Sequence, residues 1–125
     1  MHVCDKGVNK MLTIEKLAAY GADTKTGLER CMGQEAFYIR LAGMILQEGN
    51  FDKLEQAIAA GDLKEAFSAA HALKGVTGNL ALTPLYDPVQ EITELLRAET
   101  DMDYTDIMNQ IREAKEALQK LADEE

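Results

Sequence analysis

The stretch of sequence from residue 62 to residue 80 reads DLKEAFSAAHALKGVTGNL. Small and apolar side chains recur in it every three or four residues, which is the period of an amphipathic helix. Asp62, followed by Glu65 three residues later, resembles a capping box and predicts where this helix begins. With Leu73 at the centre of the buried stripe, a turn of about 100° per residue places His71 on the opposite side. We therefore predict a helix that exposes His71 to solvent.

Two glycines lie on the same side of this helix as His71. Gly75 follows the histidine by four residues and Gly78 follows it by seven. A glycine in an exposed helix interior costs about 1 kcal/mol relative to alanine, so the pair indicates a need for steric access. Lys74, three residues after His71, can place an ammonium group beside whatever the imidazole carries. Open access, an imidazole and a cation together suit an anionic group that is bound transiently.

The chemistry of the imidazole narrows this hypothesis. An exposed histidine is largely neutral at cytosolic pH, and the neutral ring is a nucleophile that can accept a phosphoryl group. A nearby cation favours the neutral ring and offsets the charge on the phosphoryl oxygens. The spacing alone leaves one alternative open, a surface histidine beside two glycines that have no shared purpose.

Helical spacing continues on both sides of this stretch, and no alternating run is long enough to predict a strand. Asn50 predicts the cap of the preceding helix. In the connector that follows, Pro84 could lie in the first turn of a helix capped by Thr83, but Pro88 would then remove a backbone bond further in. We therefore predict that the next helix begins at Asp87–Pro88. Short links between amphipathic helices favour antiparallel neighbours. We predict an all-α fold, an up-and-down antiparallel four-helix bundle with one or two short extra N-terminal helices.

The bulk composition fits one domain and excludes several functions. The chain has 125 residues, of which we assign 1–10 to a flexible N-terminal tail and 11–125 to the bundle. A net charge of -9 disfavours binding to nucleic acid or to an anionic membrane. The apolar runs are far shorter than the ~20 residues that span a bilayer. Two cysteines form neither a disulfide framework nor a metal pattern, so we expect a cytoplasmic protein without a bound metal.

Residues 70–75, AHALKG, followed by Gly78-Asn79-Leu80, resemble the signature of histidine-containing phosphotransfer (HPt) domains, roughly A-H-x-L-K-G-x-x-x-N-L-G. The upstream run Gly27-Leu28-Glu29-Arg30 is also similar to the family, and residues of about 11–122 fit its helical plan. The resemblance implies a phosphoryl carrier in a multistep phosphorelay. It implies that His71 accepts phosphate from a receiver-domain aspartyl-phosphate and passes it to the aspartate of another receiver.

The resemblance also implies roles for the neighbouring residues and for the partner. Lys74 would support the phosphoryl oxygens and Gly75 would give steric access. The protein would have no autonomous catalytic activity and no cofactor, because Mg²⁺ and most catalytic groups belong to the receiver. The partners would be receiver domains of response regulators or hybrid sensor kinases. A stand-alone carrier of this kind is expected to be a monomer.

Two departures from the family pattern leave the orientation of the imidazole open. The glycine that usually follows Asn-Leu is Ala81 here. The family often has a glutamine on the following helix that reaches the imidazole, and the matching position is Thr93. Gln90 and Arg97 lie near the same face, so each of the three is a candidate for orienting the ring, with a solvated polar residue as the alternative.

Two further residues are candidates for docking a receiver. Phe67, one turn before His71, is expected to be partly exposed, as aromatic residues at interfaces often are. The alternative is that Phe67 tucks between helices. Lys64 lies on the same side of the predicted helix.

Other functions fit less well. A sensor-kinase dimerisation domain normally has an acidic residue after its histidine, whereas Ala72 follows here. A metal-carboxylate bundle needs Glu-x-x-His pairs, and Ser68 stands three residues before His71. No nucleophile-elbow glycines accompany Ser68, which disfavours a hydrolase. The alternative that stays open is a non-catalytic helical interaction module that docks receiver domains without carrying phosphate.

Overall fold

The computed structural model describes residues 12–124, and within this range it is helical with no strand, which confirms the predicted all-α bundle. The predicted tail, residues 1–10, lies outside the described residues. A short 3₁₀ segment, Ile45–Gln47, extends the third helix. The helices are α1 (Ile14–Tyr20), α2 (Thr24–Arg30), α3 (Glu35–Met44), α4 (Asn50–Ala60), α5 (Leu63–Asn79), α6 (Thr83–Arg97) and α7 (Thr105–Asp123).

Helix α5 begins where the capping pattern predicts. The Asp62 carboxylate accepts a hydrogen bond from the Glu65 backbone N–H at 3.1 Å, which satisfies one of the free donors of the first turn. The side chains on the predicted core face are buried, with Leu73 fully excluded from solvent. His71 is exposed on the other side, as the helical period predicts.

Helix α6 begins earlier than predicted. It starts at Thr83, and the prediction of a start at Asp87–Pro88 is wrong. Pro84 lies in the first turn, where a missing N–H costs nothing, whereas Pro88 lies inside the helix and removes one backbone bond. The helix continues through Pro88 because Leu85, one turn earlier, is completely buried in the core.

The start of α4 also differs in detail from the prediction. Asn50 is the first helical residue and Gly49 occupies the cap position. The Glu48 carboxylate accepts hydrogen bonds from the Asn50 backbone N–H at 3.1 Å and from its side-chain amide at 2.7 Å. A glutamate two residues upstream therefore performs the capping role that we assigned to Asn50.

The later helices pack side by side, with α5 against α4 and α6, and α7 against α6. Cross-helix contacts show that α5 and α6 are antiparallel, because Tyr86 lies beside Gly78 while Arg97 lies over Phe67. The complete up-and-down order of the bundle stays a prediction. No helix among residues 12–124 is long and apolar enough to cross a membrane.

Helices α2 and α3 are joined to the C-terminal end of α5. Gly27 of α2 faces the buried ring of Tyr38 of α3 so closely that a Cβ at Gly27 would lie 2.5 Å from that ring. The Tyr38 hydroxyl donates a hydrogen bond to the Leu80 carbonyl at 2.9 Å. Burial raises the pKa of Tyr38 to about 12, so the hydroxyl keeps its proton at physiological pH. These contacts join α2 and α3 to the helix that carries His71.

Candidate functional site

His71 stands at the edge of an open groove of about 580 Å³. Lys74 and Gly75 of α5 line the same groove, together with Arg30 of α2 and Tyr86 of α6. The groove therefore brings the predicted acceptor, the predicted cation and the predicted access glycine together. Its width and exposure allow a partner to reach the imidazole directly.

The two glycines near His71 have different surroundings. A Cβ built at Gly75 would meet nothing within 4 Å, so the space beside His71 is empty. A Cβ at Gly78 would lie 2.9 Å from the Tyr86 ring. Gly78 lines the groove, but close packing of α6 against α5 is sufficient to require a glycine there. Gly75 is the residue whose missing side chain leaves open space.

Lys74 is held at the groove by an acidic partner. Its ammonium group lies 3.4 Å from a carboxylate oxygen of Glu94 on α6. Both side chains are partly exposed, so the pair contributes little to stability and can open when another anion arrives. Lys74 lies three residues after His71 on α5 and lines the same groove.

A second cation, Arg30, lines the same groove. Arg30 donates a hydrogen bond to the Gly78 carbonyl, near the end of α5. This placement is favourable because the last carbonyls of a helix lack partners and carry partial negative charge. Asp23 and Thr26 also line the groove, and hydrogen bonds from Thr26 hold the pKa of Asp23 below its ordinary value. The groove therefore holds cations from two helices around an exposed imidazole.

The His71 ring makes an aromatic contact within its own helix. Phe67, one turn earlier on α5, stacks on His71 with ring centroids 5.6 Å apart and planes inclined by 20°. Phe67 is half-buried, and the Arg97 guanidinium lies 5.0 Å above its ring. Within residues 12–124 no hydrogen bond to the imidazole is present. Phe67 is therefore partly buried and also contacts the candidate site. Its role in docking a receiver stays a prediction.

The three candidates for orienting the ring differ in their surroundings. Thr93 is fully buried, and its hydroxyl donates to the Val89 carbonyl at 2.6 Å. It faces the core while His71 faces solvent, so the proposed role for Thr93 is corrected to packing within α6. Arg97 reaches the site through Phe67. Gln90 is exposed, one turn before Glu94 on α6.

Glu94 of α6 also belongs to the site, although the sequence pattern did not indicate it. Its carboxylate accepts hydrogen bonds from Arg97 at 3.2 and 3.4 Å, in addition to the contact with Lys74. The pKa of Glu94 is held below its ordinary value, mainly by the hydrogen bond from the Arg97 side chain and to a smaller extent by Lys74. The three-residue spacing of Glu94 and Arg97 could have predicted their ion pair, but not the contact between Glu94 and Lys74. Lys64, the second docking candidate, is exposed in the first turn of α5.

The fold and the site define an all-helical domain that presents one histidine in an open groove. The model of the Hpt domain family matches residues 47–123, more than half of the chain, and the chain belongs to this family. The matched range contains α4 to α7 and His71, whereas α1 to α3 precede it. Comparison with curated proteins and with solved structures gave no match. Hpt domains are carriers in histidine phosphotransfer and work with receiver domains, and they are not enzymes in the usual sense.

Proposed function

We propose that His71 is the phosphoryl-accepting residue of this domain and that the protein carries phosphate between two receiver domains in a phosphorelay. The observation that carries the proposal is the placement of His71, exposed in mid-helix beside the empty space at Gly75. A receiver must bring its aspartyl-phosphate in line with the imidazole, and that approach requires such space.

The transfer step follows from the chemistry of the two groups. A nitrogen of the neutral His71 ring attacks the phosphorus atom of the acyl phosphate. The N–P bond forms as the P–O bond to the aspartate breaks, and the electron pair of that bond leaves with the receiver carboxylate. In the second half of the relay the same exchange runs in the opposite direction, onto the aspartate of another receiver.

Lys74 supports the phosphoryl oxygens once the group is on His71. Its ammonium leaves the exposed carboxylate of Glu94 at small cost, because an exposed ion pair is worth at most about 1 kcal/mol. The receiver supplies Mg²⁺ and the remaining catalytic groups. The domain acts as a cytoplasmic monomer and has no catalytic activity of its own. Phe67 and Lys64 form part of the surface that meets the receiver.

The test uses phosphorylated receiver domains as donors. The protein is mixed with each receiver of a labelled panel, and the label on it is examined for the acid lability and alkali stability of a phosphoramidate. We expect wild type to take up such label and His71→Gln to take up none. If no receiver labels the wild type, or if His71→Gln is labelled equally well, the protein is not a carrier on His71.

The same assay decides the second candidate function, a module that docks receivers without carrying phosphate. Such a module would bind a receiver but remain unlabelled. The exposed imidazole with Lys74 and the open space at Gly75 favours the carrier, because docking alone requires none of these features.

A further inference from the structure

Four contacts connect the side chains around His71 into a continuous chain. The His71 ring stacks on Phe67, and the Arg97 guanidinium covers Phe67. Glu94 binds Arg97 through both carboxylate oxygens and binds Lys74 through one of them. Lys74 lies three residues from His71 on α5, so the chain begins and ends beside the imidazole. Within residues 12–124, Glu94 is the member that touches both cations.

Each member of this chain restrains the next one. Phe67 limits rotation of the imidazole because stacked rings have a preferred offset and separation. A guanidinium over an aromatic face is attracted by the ring quadrupole and also shields that face from water. The two-point contact with Glu94 fixes the plane of the Arg97 guanidinium, whereas an arginine on an exposed helix is otherwise free to move.

The two contacts of Glu94 are not equivalent. The Arg97 contact uses two nitrogen atoms, at 3.2 and 3.4 Å, and lies within one helix. The Lys74 contact joins one pair of atoms at 3.4 Å across two helices. A two-point contact between neighbours on one helix is the better defined of the two, so the carboxylate acts mainly on Arg97.

We propose that Glu94 is a positioning residue for phosphotransfer: it holds Arg97 over Phe67, and Phe67 in turn holds the His71 ring in the orientation that accepts the phosphoryl group. This inference rests on the proposed function. The sequence offered three residues of α6 as candidates for orienting the ring, and this inference assigns that role to aromatic stacking.

The first experiment separates the transfer step from docking. Initial rates of phosphotransfer from a phosphorylated receiver are measured over a range of receiver concentrations for wild type and for Glu94→Gln. We expect Glu94→Gln to lower the maximal rate about two- to fivefold, the scale of an exposed ion pair, and to leave the half-saturating concentration unchanged. Glu91→Gln removes the same charge from the exposed surface of α6, outside the chain of contacts, and is expected to match wild type.

A double substitution identifies the route by which Glu94 acts. If Glu94 acts through Phe67, then Glu94→Gln produces no further slowing in a Phe67→Leu background. Equal slowing with and without Phe67 would assign the effect to Lys74 and overturn the proposal. Faster transfer by Glu94→Gln would also overturn the proposal, since it would mean that the carboxylate only keeps Lys74 away from the phosphoryl group.

The second experiment observes the ring directly and needs no phosphate donor. Proton NMR resonances of the His71 imidazole, assigned by comparison with His71→Gln, are shifted by the adjacent Phe67 ring. We expect Glu94→Gln to move these resonances towards those of a free histidine and Glu91→Gln to leave them in place. If Glu94→Gln leaves them unmoved, Glu94 does not position the ring. If the wild-type protein transfers phosphate but Glu94→Gln leaves the resonances unmoved, this inference is wrong and the carrier function is unaffected.

Discussion

Gly75 and Gly78 lie three residues apart on α5, yet only Gly75 faces empty space. We therefore expect Gly75→Ala to raise the free energy of unfolding by about 0.5–1 kcal/mol, since alanine is the better helix former. Gly78→Ala is expected to gain nothing or to destabilise, because its Cβ meets the Tyr86 ring at 2.9 Å. Urea unfolding of both variants measures the difference. Equal gains would show that Tyr86 moves aside without cost.

A larger side chain at Gly75 tests access to the imidazole. We expect Gly75→Leu to slow phosphotransfer about tenfold or more, because the side chain fills the space through which the donor approaches and misplaces the reacting groups. The rate of label transfer from a phosphorylated receiver is the measurement, with circular dichroism as the check on folding. Transfer at the wild-type rate in a folded Gly75→Leu protein would show that the glycine is not needed for access.

At the scale of single residues, the sequence predicted exposure better than contacts. The exposure of His71 followed from its angle to Leu73, because a helix repeats regularly. The stacking of Phe67 on His71 was within reach, since the two lie four residues apart on one helix. The contact between Lys74 and Glu94 was not, because it depends on how α5 and α6 align, which local spacing does not determine.

Helix ends are where individual elements depart from expectation. Ala81 follows the end of α5 with φ of 54°, in the left-handed region where the family pattern has glycine. Ala81 therefore adopts a backbone conformation that glycine adopts more easily. We expect Ala81→Gly to raise the free energy of unfolding by about 0.5–1 kcal/mol by relieving this strain. Thermal and urea unfolding check it, and a loss of stability would indicate that the extra freedom of glycine in the unfolded chain outweighs the strain.

Helix starts were predictable only where a local side chain determines them. Asp62 caps α5 within its own first turn, so three residues of sequence contained the information. The start of α6 at Thr83 depends instead on burial of Leu85, a tertiary effect that outweighs the bond lost at Pro88. The same limit explains why Asn50 was taken for a cap, since the competing Glu48 carboxylate lies outside the usual pattern.

At the scale of the whole molecule, α2 and α3 are tied to the bundle through a tight contact. We expect Gly27→Ala to lower the free energy of unfolding by about 1–3 kcal/mol, because its Cβ would lie 2.5 Å from the buried Tyr38 ring. Gly43→Ala is the matched control, since a Cβ at Gly43 of α3 meets nothing within 4 Å. Urea unfolding compares the two variants. Equal stabilities would mean that Tyr38 is not held firmly by its bond to Leu80.

A chase of the phosphoryl group through the protein tests whether His71 is a carrier. Wild type is labelled from one phosphorylated receiver, freed of that donor, and mixed with a second, unphosphorylated receiver. We predict that label leaves the protein and appears on the second receiver, and that His71→Gln never acquires label to pass on. Label that stays on the protein, or is released only as inorganic phosphate, would contradict the assignment of His71 as a carrier.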